Sequence, residues 1–108
     1  MTATYLVLTN LPDRESADRL ARGVVEARVA ACVNVLSPAR SVYRWKGAVE
    51  TAEEYPVLIK TAADRYPELE KTIRALHPYE LPEIVAVSIE AGHPAYLAWV
   101  ETETRPQP

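Results

Sequence analysis

Apolar positions along the chain switch between a two-residue and a helical period, and the switches fall at prolines, glycines and polar turn residues. Residues 4–10 (Thr-Tyr-Leu-Val-Leu-Thr-Asn) are rich in strand formers and end at Leu11-Pro12-Asp13, which predicts a first strand and a turn. Its apolar character on both faces makes it a central strand. Asp13 is a suitable N-cap, after which Ala17, Leu20, Ala21, Val24 and Val25 recur at helical spacing with Arg14, Glu15, Arg19, Arg22 and Glu26 opposite. An amphipathic helix is expected to end near residues 28–30. Residues 31–36 are short, apolar and β-branched, and Ser37-Pro38-Ala39 interrupts them before residues 41–45 resume the pattern, so one long strand with a bend at Pro38 is expected. Lys46-Gly47 signals a turn. Residues 48–50 pair back and residues 55–61 supply the next apolar run, giving a long hairpin between the second and third strands. Its outer part, about residues 40–54, has too few apolar positions to stand alone and is expected to lean on another subunit.

A second helix is predicted from Asp64 as its cap, with Pro67 in the first turn and Leu69, Thr72, Ile73 and Leu76 facing inward, until Pro78 stops it. Residues 84–89 (Ile-Val-Ala-Val-Ser-Ile) read as a buried strand. Ala91-Gly92-His93-Pro94 then turns into a short last helix carrying Tyr96, Leu97, Trp99 and Val100, and residues 105–108 form a disordered tail. The order strand-helix-strand-strand-helix-strand predicts one α+β domain over residues 1–104, a ferredoxin-like split βαβ sandwich with an antiparallel sheet and both main helices on one face. The short C-terminal helix is too small to shield the other face, so self-association is expected to bury the remainder.

The stretch His77-Pro78-Tyr79-Glu80-Leu81-Pro82-Glu83 joins the second helix to the last strand. Its prolines hold His77 and Leu81 in extended backbone, so an imidazole, a phenol and carboxylates ride on a link that cannot flex far. His77 falls at a helix C-terminus, where the helix dipole favours a cationic imidazole; it reads either as a cap or as a hydrogen-bonding or metal-contacting group. Lys60 is the cation in an otherwise apolar run and needs a partner, with Glu54, Glu83 or an anionic ligand as candidates. Tyr43, Trp45, Tyr55 and Trp99 sit on elements expected to project or cap, which suits subunit packing or ligand stacking.

Charge and composition narrow the function. The net charge of −3, with no basic stripe along any predicted face, argues against nucleic acid as a partner. The N-terminal residues lack a secretory pattern and no apolar run is long enough to span a bilayer, so no membrane partner is expected. A single cysteine, Cys32, forms no internal disulfide and fits a reducing compartment, and the expected location is cytoplasmic. Neither a Cys-x2-Cys nor a His-x3-His ligand spacing occurs, so a metal draws little support from spacing. No Gly-x-Ser-x-Gly elbow is present, and Gly23, Gly47 and Gly92 are too few and too scattered for a phosphate-cradling loop.

Several runs taken together resemble the CutA divalent-cation tolerance family: Ala-Arg-Gly-Val-Val-Glu-Ala-Arg-Val-Ala-Ala-Cys-Val-Asn-Val from Ala21, Ser-Val-Tyr-Arg-Trp-Lys-Gly from Ser41, Ile59-Lys60-Thr61, the 77–84 stretch and Tyr96-Leu97-Ala98-Trp99. The resemblance implies a tight homotrimer similar to the PII signalling proteins and a role in tolerance to copper and other divalent cations. It assigns ligand-binding positions to Cys32, Asn34, Tyr43, Trp45, Glu54, Lys60, Tyr79, Glu83 and Trp99, in clefts between subunits, and a metal contact to His77. Some members use a strand cysteine and two adjacent histidines for copper; here Thr9 and Leu76 stand at two of those positions and His77 is kept. The expected protein is therefore a non-enzymatic binding or signalling trimer that requires no cofactor and holds a small ligand or, weakly, Cu²⁺. A trimeric enzyme using His77 and Glu83 as acid and base, or a scaffold that binds no ligand, are the alternatives.

Overall fold

The computed structural model describes residues 2–107. Its elements run β1 (Thr4–Leu11), α1 (Arg14–Glu26), β2 (Cys32–Val35), β3 (Ala39–Trp45), β4 (Ala48–Ala62), a 3-10 turn (Ala63–Arg65), α2 (Tyr66–Leu76), β5 (Val85–Ile89) and α3 (Pro94–Glu103). The strands form an antiparallel sheet in the order β2-β4-β1-β5, with β3 paired to the outer half of β4. This is the expected ferredoxin-like α+β arrangement, and β1 is central as its apolar faces required.

Local chemistry sets the boundaries. Asp13 caps α1 by accepting the Ser16 N–H at 2.7 Å. The helix ends at Glu26 because Arg28 turns left-handed at φ 60, and the Arg28 side chain then donates to the carbonyls of Arg105 (3.0 Å) and Thr102 (3.3 Å). The hairpin turn is a two-residue connection with Lys46 at φ 49 and Gly47 at φ 82, the twist that matches paired strands.

Helices α1 and α2 cover one face of the sheet. Val7, Val57 and Ile59 from the strands meet Leu20, Val24, Leu69 and Ile73 from the helices, all without exposed surface. Each such side chain contributes about 1.5–3 kcal/mol by leaving water, so this layer holds the fold together. The opposite face carries Leu6 and Leu8 of β1, which stand across from Val87 and Val85 of β5.

Several expectations are corrected. The strand over residues 84–89 is not buried: Val85 and Val87 are 48% and 52% exposed, since β5 is an edge strand with nothing from its own chain laid over it. The bend at Pro38 is a full break that separates β2 from β3, although both pair with β4. Asp64 does not cap α2; its carboxylate takes the Arg105 guanidinium at 2.6 and 2.9 Å, which pulls its pKa below the usual carboxylate value. Arg105, expected in a disordered tail, is thereby tied to the domain, and Pro108 of that tail lies outside the described residues.

Candidate functional site

Pro78 forces His77 out of the helix into extended backbone (φ −80, ψ 135), and this turns the imidazole beneath the end of β1. Nδ1 accepts the Tyr79 N–H at 3.2 Å, which leaves Nε2 protonated to donate to the Asn10 carbonyl at 2.8 Å. His77 as a whole is 8% exposed. Burial lowers the His77 pKa, opposed by the Asn10 hydrogen bond and by Glu54, so the imidazole is neutral rather than the cation that its helix terminus favours.

Tyr79 continues the lock. Its hydroxyl donates to Glu54 Oε2 at 2.8 Å, joining the link to the base of the ribbon formed by β3 and outer β4. Burial first, and the Glu54 contact second, raise the Tyr79 pKa and keep the phenol protonated. Asn10 Nδ2 donates to Glu83 Oε1 at 3.0 Å. Asn10 therefore anchors both ends of the link, His77 by its carbonyl and Glu83 by its amide. Sequence reasoning passed over it as a strand-end turn residue, and its position before Leu11-Pro12 was the available signal.

Between ribbon and link lies a cleft of about 630 Å³ whose walls include Tyr43, Trp45 and Glu54 on one side and Tyr79 and Glu83 on the other. The size suits a small molecule. His77 does not line it; the ring supports Tyr79 from behind, with ring centroids 4.9 Å apart.

The remaining site candidates lie elsewhere. Lys60 Nζ donates to Asn34 Oδ1 at 2.6 Å and sits 4.0 Å from Cys32 Sγ, so its partner is neither Glu54 nor Glu83. Tyr96 stands beside Cys32, and burial followed by that neighbour raises its pKa. Trp99 packs on Tyr96 with centroids 5.5 Å apart. Glu54 and Lys60 are six residues apart on β4, about 20 Å at strand rise. Within one chain the candidates therefore form two groups, one along the outer half of β4 and one near Lys60 toward its other end, rather than one site.

Metal and acid-base chemistry meet specific obstacles. Both His77 nitrogens are engaged, so a cation reaches them only by breaking a hydrogen bond. Among the described residues no three His, Cys, Asp or Glu side chains cluster to hold an ion. His77 and Glu83 each bond Asn10, and only Glu83 lines the cleft, so the two side chains face different surroundings. Thr9 faces the interior at 1% exposure, and Leu76 packs on the core.

The strand order, the overhanging ribbon and the locked proline link define a ferredoxin-like α+β protein with a cleft beside an open sheet edge. The chain belongs to the family described as CutA1 divalent ion tolerance protein, which matches residues 5–103. It is 42% identical over 99 residues to the divalent-cation tolerance protein CutA of Thermus thermophilus, covering 92% of this chain and 96% of that protein. Protein CutA of Mus musculus is 43% identical over 93 residues, 86% of this chain, and there the match spans only 52% of the longer mouse protein. The crystal structure of CutA from Xylella fastidiosa superposes with a TM-score of 0.93 at 43% identity, covering 96% of this chain and 100% of that one. Relatives differ in compartment: the Arabidopsis protein is named chloroplastic and the Archaeoglobus structure periplasmic. No helix among the described residues is long and apolar enough to cross a membrane.

Proposed function

We propose that the chain works as a PII-like homotrimeric binding and signalling protein in tolerance to divalent cations, in the cytoplasm, with a small ligand held in the cleft between ribbon and link. The observation that carries this reading is the half-exposed valine pair of β5, beside an unpaired strand edge and a ribbon on which Val42 and Val49 are 66% and 64% exposed. Open edges and exposed apolar side chains are aggregation hazards unless something covers them, and closed symmetry covers them with copies of the same surface. A neighbour laid over this edge also walls the cleft. Copper enters this reading as a weak ligand, because His77 offers no free nitrogen and the cleft carboxylates of Glu54 and Glu83 already accept hydrogen bonds.

Light scattering at micromolar concentration tests the assembly. The expected mass is three times the 12.0 kDa chain, and Val87→Asp should reduce it to that of one chain with the helical circular dichroism kept. A wild-type protein that runs as a single chain removes the reading.

A further inference from the structure

Cys32 and Lys60 stand directly opposite one another where β2 pairs with β4, so strand register, rather than a flexible loop, sets one side chain beside the other. Lys60 is fixed at its tip. Nζ donates to Asn34 Oδ1 at 2.6 Å and lies 4.0 Å from Cys32 Sγ, with Tyr96 beside the same sulfur. Cys32 is a free, partly exposed thiol and the only cysteine in the chain. Once oxidised, its sulfur finds no second thiol in its own chain to resolve it. The amine nitrogen at 4.0 Å is the nucleophile within reach.

We infer that Cys32 and Lys60 form a peroxide-sensitive pair, in which oxidation of the thiol ends in a reversible S–N cross-link between β2 and β4. In the first step the Cys32 thiolate attacks hydrogen peroxide. An S–O bond forms and the O–O bond breaks, the sulfur gives up two electrons, and the displaced hydroxide takes the thiol's proton and leaves as water. In the second, Lys60 Nζ gives one proton to solvent and attacks the sulfenic sulfur. The S–N bond forms, the S–O bond breaks, and the hydroxyl leaves with an amine hydrogen as a second water. Sulfenic acids close on a backbone nitrogen in the same manner. The product carries no ammonium, so oxidation switches off the Lys60 cation and breaks its bond to Asn34. Lys60 is among the positions to which the family resemblance assigns ligand binding, so the cross-link ties that position to oxidant level, while the ligand reading itself stands without it. A neighbour laid over the open edge covers this pair without parting it, because both residues belong to the register of one chain, and the oxidant is small and uncharged.

The test treats the full chain, at micromolar concentration and in its native assembly, with hydrogen peroxide and then reads the denatured mass without reductant. The wild-type mass should fall by about 2 Da, the hydrogens lost on closing the S–N bond, and dithiothreitol should restore it. A tryptic map should show cleavage after Lys60 lost and the Cys32 and Lys60 peptides joined. Lys60→Arg, which keeps the positive charge without the amine, should instead gain about 16 or 32 Da as the sulfenic or sulfinic acid. Cys32→Ser should show neither change. If Lys60→Arg misfolds, the wild-type peptide map decides alone. Wild-type protein that gains oxygen with Cys32 and Lys60 unlinked, that forms disulfide-joined pairs of chains, or that does not react at Cys32 overturns the inference. So does the same loss of mass in Lys60→Arg.

Discussion

Valine occupies both extremes of burial in this one sheet. Val7 and Val57 have no exposed surface under α1 and α2, whereas Val85 and Val87 are about half exposed on β5, and Val42 and Val49 on the ribbon more so. The residue type is the same, so the difference lies in what is laid over it. The helix-covered side is complete within one chain and accounts for the fold. The β5 edge and the Val42 and Val49 side chains of the ribbon have no cover from their own chain, which is the ground for the proposed assembly.

The largest effect should come from the complete side. Leu69→Ala removes a fully buried side chain between α2 and the sheet and should cost about 2–5 kcal/mol in denaturant unfolding. The same kind of truncation on the ribbon, Val42→Ala, touches nothing that one chain buries, so its effect should appear as a loss of assembled mass in light scattering rather than in the packing of the single chain. An assembled mass unchanged by Val42→Ala would mean that no neighbour covers this valine, and would blur the contrast.

Tyr79→Phe probes the junction between the two regions. It strips the buried Glu54 carboxylate of its phenol donor and should cost about 1.5–3 kcal/mol, as for hydrogen bonds to charged groups. Pairing it with Glu54→Ala, which removes the acceptor, in a double-mutant cycle should show coupling. Independent, additive losses would mean that the lock between link and ribbon is not formed in solution.

A smaller effect comes from His77. Its folded pKa is lowered by burial, so below the unfolded value of 6.5 the unfolded chain takes up the proton more readily. Stability should therefore be complete above pH 6.5 and decline as the pH falls toward the folded pKa, and His77→Gln should flatten that part of the profile. A profile that rises on acidification would imply a cationic imidazole and a different set of partners around it.

Much of the scaffold was legible in the amino-acid order because its signals are local. Asp13 before a helical period, Lys46-Gly47 between strand patterns and Pro78 after Leu76 each act within a few residues. What escaped depends on where strands lie beside one another. Lys60 finds Asn34 because Cys32 is its cross-strand partner, a register fact that spacing along the chain does not carry. Asp64 prefers Arg105, 41 residues away, over the helix it precedes. The site candidates share a family pattern but fall in two groups, one along the outer half of β4 and one around Lys60, and Asn10 holds the link through groups that every asparagine has.

The claim that neighbours complete the open edge is tested most directly by amide hydrogen exchange on β5. In one chain this strand pairs with β1 alone, so the N–H groups on its outward edge have no partner among the described residues. At micromolar concentration they should be protected to the same degree as the amides of β1, and Val87→Asp should release them while β1 stays protected. Exchange of the outward β5 amides in the wild-type protein at the rate of an unpaired surface strand would contradict the account.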